Sequence, residues 1–246
     1  MDAREKWTKL CICLFSICML RSLGSAQSPD ALYADRANLS SARAAADAWT
    51  TQLAQDPSSF ESAWKLARAD YWLGGRAPEP DRRAFLDHGV EAGRQAVKLE
   101  PNRPEGHFWL AANMGSLAES FGLRQGLKYR RPIKDELEWV LRTAPQFQQG
   151  SADRALGRWY FRVPGLFGGS KKLAEAHLRA SLTYNPHSTV SHFFLAEVLL
   201  DDKRVGEARD ELQQVVDAPL DPEWTPEDQE FKAKARALLA RIRDAP

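Results

Sequence analysis

The sequence predicts an all-α fold, an α-solenoid of stacked helical hairpins closed by a C-terminal capping helix. Three observations carry that expectation. No stretch sustains an apolar/polar alternation, and the chain has neither Asn-Gly nor Asp-Gly to turn a strand hairpin. Prolines recur instead: Pro57, Pro101, Pro145 and Pro186 each follow an amphipathic run, at intervals of 44, 44 and 41 residues. Nine residues beyond three of them stands a Leu-Ala pair, Leu66-Ala67, Leu110-Ala111 and Leu195-Ala196, preceded by an aromatic. After Pro145 the equivalent is Leu156-Gly157, two residues late. A large side chain that plugs the neighbour beside a small one where two helices cross is what close helix packing requires. Such a hairpin cannot bury both of its faces alone, so its neighbours must be further hairpins.

Taken in order, residues 1–26 read as a leader. Arg4, Lys6 and Lys9 make a basic start, Leu10 to Leu20 is an eleven-residue apolar run, and Gly24-Ser25-Ala26 offers the small residues that a signal peptidase needs. Eleven residues are too few to span a bilayer. Cleavage near Ala26 would release a periplasmic or secreted chain with no transmembrane helix in its mature part. Ile17 stands before Cys18 where a lipoprotein would have a small residue, which argues against lipidation.

Residues 27–246 form a single helical repeat domain in this reading. Cys11, Cys13 and Cys18 all lie in the leader, so the rest has no disulfide framework, thiol nucleophile or cysteine metal site. The leader also holds two acids (Asp2, Glu5) and four bases (Arg4, Lys6, Lys9, Arg21), so the 33 acids and 34 bases of the whole chain leave 31 and 30. That balance argues against nucleic acid as a partner.

The apolar spacing predicts helices over residues 40–55 and 58–73, the second ended by Gly74-Gly75. A proline-rich loop over 76–80 follows, then helices over 81–99 and 103–121. Glycines and Pro132 break the pattern over 122–131 before a helix resumes over 132–143. The best-defined repeats are 150–186 and 187–219. Leu156, Trp159, Tyr160 and Val163 make one apolar stripe and Ala174, Leu178 and Ser181 a second, across a glycine-rich turn. Ala208, Leu212 and Val215 copy the second stripe. A linker over 219–226 leads to the capping helix over 227–243.

The elements Leu156-Gly157-x-x-Tyr160, Ala174, Leu178, Ser181 and Pro186 resemble a tetratricopeptide repeat, and Leu195-Ala196 with Ala208, Leu212 and Val215 resembles another. The helix ending in Val163-Pro164, the Gly168-Gly169 turn and Ala174-Glu175-Ala176 are more particular, and resemble the T component of TRAP transporters. That resemblance implies an exported scaffold that docks a periplasmic solute-binding protein, possible homo-oligomerisation, and a ligand-lined passage. The Gly157-Arg158-Trp159 stretch gives a remoter resemblance to regulators of microtubule dynamics, which the leader makes a relative in fold only.

Catalysis has no constellation to rest on: there is no Gly-x-Ser-x-Gly elbow and no carboxylate pair that stands out from solvated helix faces. Residues 165–171 lack the spacing and preceding strand of a phosphate loop. The five histidines make no metal pattern, and His177 reads as a hydrogen-bonded core residue. No cofactor is implied. Arg124, Lys128, Arg130, Arg131 and Lys134 around Tyr129 are the one local excess of positive charge, either a solvated face or a pocket for an organic carboxylate. In repeat proteins the first helix of each hairpin lines the concave side. Trp64, Tyr71, His107, Asn113, Tyr129, Trp159 and Tyr160 are therefore lining candidates, the last two reading better as core. Leu166 and Phe167, adjacent large apolar residues in a turn, either tuck back, which is the expectation, or touch a partner. The function expected is non-catalytic: docking of a protein partner, or binding of a small organic acid or amphiphile on the concave face.

Overall fold

The structure, a computed structural model, describes residues 27–243, so the leader expected over 1–26 lies outside the described residues. Eleven helices follow one another: α1 (Pro29–Ala34), α2 (Leu39–Gln55), α3 (Phe60–Arg76), α4 (Glu79–Leu99), α5 (Pro104–Ser120), α6 (Leu123–Thr143), α7 (Ser151–Arg162), α8 (Lys171–Tyr184), α9 (Thr189–Asp201), α10 (Val205–Asp217) and α11 (Thr225–Arg243). A 3-10 turn, Gly165–Phe167, sits between α7 and α8. No strand occurs among the described residues. Helices α3/α4, α5/α6, α7/α8 and α9/α10 pair as hairpins, and the first helices pack in series, α3 on α5, α5 on α7, α7 on α9 and α9 on α11. Helix α2 packs on α3, and the short α1, capped by Ser28 and absent from the sequence reading, buries Tyr33 beside it.

The proline rhythm has a direct cause. Asp56, Glu100, Ala144 and Asn185 are the C-cap residues of α2, α4, α6 and α8, and each precedes its proline, which disfavours helical backbone in the residue before it. The Leu-Ala pairs are all buried, as are Leu156 and Gly157. Leu156 is late because α7 waits on a left-handed turn: Gln148, Gln149 and Gly150 have φ of 43°, 57° and 75°. Ser59, Ser170 and Ser188 cap α3, α8 and α9 with side-chain bonds to backbone N–H groups of the first turn.

Two expected breaks do not occur. Helix α3 runs through Gly74-Gly75 to Arg76. A Cβ on Gly74 would stand 2.4 Å from the Leu86 side chain, so this glycine brings α4 close to α3 and does not end the helix. Gly93 does the same for α5, its missing Cβ falling 2.8 Å from the Leu110 backbone. Nor does Pro132 start a helix, because α6 is continuous from Leu123 with Pro132 inside it. Pro132 and Lys128, whose carbonyl loses its donor, are both exposed, so water can satisfy the orphaned oxygen.

Each of the four hairpins is also cross-linked by one histidine and one carboxylate. His88 meets Asp70, His107 meets Glu136, His177 meets Asp153 at 2.7 Å, and His192 meets Glu211 at 2.5 Å. His107 and His192 stand six residues after a hairpin-starting proline and reach back to the Pro101 and Pro186 carbonyls, both at 2.9 Å. With acceptors on both ring nitrogens, His107 is built to be doubly protonated. Burial opposes that charge, but the bonds to Glu136 and to the Pro101 carbonyl outweigh it and raise its pKa.

Candidate functional site

The inner faces of α3, α5, α7, α9 and α11 enclose a groove of about 1380 Å³, with α6 and the turn after α7 at its mouth. Aromatic rings stand among the alanines and leucines of its lining. Tyr71 and Trp109 lie 5.6 Å apart, Phe108 meets Trp109 at 5.0 Å, and Phe193, Phe194 and Phe231 form a cluster with ring centroids 5.3 to 6.5 Å apart.

Charged side chains rise among these rings. Arg158 on α7 bridges Glu119 on α5, at 3.0 Å, and Glu197 on α9, at 2.6 Å, and so ties three hairpins together. Arg76 pairs with Glu230, which joins α3 to α11 across the stack. Arg154, one turn before Arg158, has no acidic partner among the described residues. Burial pulls its guanidinium down to about 10, opposed only by the nearby Tyr71. A half-buried cation without a counter-charge in the wall of a groove is a site for a carboxylate or a row of carbonyl oxygens. Arg130 likewise has no acid beside it and lies 5.2 Å from the Phe167 ring centroid.

The residues singled out from sequence divide. Tyr71, Trp159 and Phe167 line the groove. Asn113, expected to line it, is fully buried and donates to the carbonyls of Ala67 and Trp109, 2.8 Å each, so it fastens α5 to α3. His107 belongs to a hairpin bridge and stacks on Trp139 at 3.8 Å. Tyr129 is buried in the core, with Lys128 4.5 Å from its ring centroid. Trp64 is half-buried away from the groove, under Arg68 at 4.9 Å. Tyr160 is core, stacked on His177 at 5.3 Å. Arg124, Lys128 and Arg131 form a solvated outer face rather than a pocket with Tyr129, and Arg131 meets Asp135 at 3.6 Å in the open. Leu166 does not tuck back: it is 90% exposed.

Sequence reading missed Arg154, Arg158, Phe193, Phe194 and Phe231 as groove residues. One signal was available. Glu119 and Glu197 each stand 39 residues from Arg158, an acid-base-acid ladder at repeat spacing. No metal-binding group of three or more His, Cys, Asp or Glu side chains occurs among the described residues.

A family model described as regulator of microtubule dynamics protein 1-3 matches residues 27–184. The chain belongs to this family. The resemblance placed second from the Gly157-Arg158-Trp159 stretch is thus the one that the match supports, and the match begins at the first residue after the expected leader. No curated protein matches the chain. Among solved structures, a thermophilic tetratricopeptide-repeat protein of Thermus thermophilus is similar over 86% of this chain and 95% of its own, with 21% identity and a TM-score of 0.65. MamA is similar over 81% and 95%, with 15% identity and a TM-score of 0.50. A human IFIT1 dimer with m7Gppp-AAAA covers 97% of this chain and 50% of the IFIT1 chain, with 19% identity and a TM-score of 0.52. These three similarities establish the helical repeat fold of this family member, at identities that speak to fold alone.

Proposed function

We propose that this family member is a non-catalytic scaffold whose concave groove holds an extended segment of a protein partner. The observation that carries the reading is the size and lining of the groove. At about 1380 Å³ it exceeds the roughly 300–1,000 Å³ of pockets built for one small molecule. Its aromatic floor suits a chain's apolar side chains, while Arg154 in the same lining asks for an acidic or carbonyl group.

The reading is tested by photo-crosslinking from Tyr71, Phe193 or Phe231 in cells, with Arg94 on the outer side of α4 as the control position. Partner crosslinks confined to the groove positions support it. Crosslinks no more abundant there than at position 94 end it.

The family description names microtubule dynamics, whereas the leader favours export, and one chain cannot meet both partners in one compartment. We place it outside the cytosol, on the basic start, apolar run and small residues of 1–26, where a solute-binding protein of the TRAP type is one partner class. Fractionation of the full-length chain decides: retention in the cytosol removes that class and leaves a microtubule-linked partner. A small amphiphile or organic acid is the second reading, favoured by the unpaired Arg154 beside aromatic rings. A stabilising shift with soluble acids and no groove crosslinks would select it.

A further inference from the structure

The rim of the groove differs in composition from its floor: Leu123, Leu127, Arg130 and Phe167 line it there, and Leu166 projects next to them. Of the eight large apolar side chains exposed among the described residues, four gather at the mouth: Leu123 at 72%, Leu127 at 45%, Leu166 at 90% and Phe167 at 37%. Leu123, Leu127 and Arg130 follow one another at i, i+4 and i+7 along α6, and so share a face. Arg130 ends that row 5.2 Å from the Phe167 ring, and its carbonyl accepts from Trp159 Nε1 at 2.9 Å, which joins the start of α6 to the turn after α7.

The two segments that carry these side chains are rich in cations, of which Arg131, Lys134, Arg162 and Lys171 pair with Asp135, Glu138, Glu119 and Asp201 from outside the segments. No Asp or Glu occurs from Phe121 to Lys134 or from Trp159 to Ala174, while the two stretches hold Arg124, Lys128, Arg130, Arg131, Lys134, Arg162, Lys171 and Lys172. Arg124, Lys128 and Arg130 have no acidic partner within 4.0 Å among the described residues. Exposed leucines cost stability in water, and clustered like charges repel one another. Both penalties are relieved by a layer that is apolar beneath and anionic at its surface.

We propose that this lip is a membrane-contact surface that seats Leu166, Leu123, Leu127 and Phe167 among the headgroups of an anionic phospholipid bilayer, with the surrounding arginines and lysines on the lipid phosphates and carboxylates. A protein partner fits the observations less well. Protein interfaces put their apolar residues in a close-packed centre depleted of charge, with directed hydrogen bonds. Here the apolar side chains project singly from a turn and a helix start, beside Arg124, Lys128 and Arg130, which have no acidic partner among the described residues, and that suits a fluid headgroup layer. Seated this way, the lip would turn the mouth of the groove toward the membrane. The proposal does not depend on what fills the groove.

The test is co-sedimentation of the full-length chain with phosphatidylcholine vesicles, alone and with about one third phosphatidylserine. The expected result is binding to the mixed vesicles, weakened by salt, and little binding to phosphatidylcholine alone. Leu166→Asp should lower the partition roughly tenfold, and Arg124→Glu with Lys128→Glu by more than tenfold, since each lost cation near an anionic surface counts for about fivefold. All three positions are exposed, so unchanged melting temperatures show that the variants fold. Binding of both variants equal to wild type overturns the proposal and assigns vesicle binding to the Leu10–Leu20 run. Failure of the wild type to sediment with the mixed vesicles overturns it as well, and capture of polyglutamate by such a chain would hand the lip to an acidic protein. Loss of vesicle binding in Leu166→Asp with groove crosslinks intact separates this proposal from the reading of the groove.

Discussion

Replacing Asp70 by Asn should stabilise the protein above neutral pH, although it removes a charge contact. The Asp70 side chain on α3 is 1% exposed, and both carboxylate oxygens lack an aligned hydrogen bond. Among the described residues its one ion pair is with His88 on α4, whose Nδ1 lies 2.9 Å from Oδ2 in a ring 49% exposed to water. Burial raises the carboxyl from 3.8 to about 6, against the opposing pull of His88, and Asp47 adds a small push in the same direction as burial. A folded-state value above the unfolded one means that the native protein holds the proton more tightly. The contribution is therefore greatest below 3.8 and is lost as pH rises through about 6. His88, raised chiefly by its contact with Asp70, has the same sign and loses its contribution as pH climbs past its own elevated value. Keeping the buried Asp70 ionised at pH 8 therefore costs about 3 kcal/mol, and replacing it by an imperfectly bonded buried amide returns about 1 kcal/mol of that cost. Urea unfolding at about pH 4.5 and pH 8 measures both ends. Asp70→Asn should gain about 1–3 kcal/mol at pH 8 and little at pH 4.5. A variant less stable than wild type at pH 8, or a wild type equally stable at both pH values, would refute the reasoning.

Pro132→Ala restores a donor to the Lys128 carbonyl inside α6 and should raise stability by about 1–3 kcal/mol in the same assay. Arg154→Met relieves a desolvated, unpaired guanidinium and should stabilise the fold by about 1–2 kcal/mol while weakening groove crosslinks to the partner; a loss of stability would show that Arg154 has a counter-charge. His107→Gln should cost most at about pH 6 and least at about pH 9, because the raised pKa of His107 supplies stability that is fully present below 6.5 and lost as pH rises through the folded value, as thermal melts across that range would record.

The architecture was legible because the prolines and the Leu-Ala pairs act locally: each proline fixes the backbone before it, and each pair sets a helix crossing within its own repeat. Pro132 misled because its effect depends on exposure. A proline that breaks a buried helix is tolerated where water reaches the orphaned carbonyl, and sequence spacing does not report which side faces out. Gly74 misled for a related reason, since a helix-ending glycine and a helix-contacting glycine are the same residue until Leu86 is placed against it. The site was harder to read. His107 and Asn113 have the polar chemistry of a binding site, but their partners, Glu136 and the Ala67 carbonyl, lie on other helices at separations of 29 and 46 residues. Aromatic residues Phe193 and Phe194 read as repeat core, and only the curvature of the stack turns them toward a shared space.

The ladder of Glu119, Arg158 and Glu197 has a mechanical meaning. Contacts within one hairpin survive any bending of the superhelix, but a guanidinium clamped between carboxylates from the units before and after it holds only at one radius of curvature. Ionic strength then becomes a handle on shape, since screening the clamp lets the arch relax while every hairpin stays intact. Small-angle scattering across a salt series should show the radius of gyration rising with no loss of helicity, and Arg158→Met should remove the response.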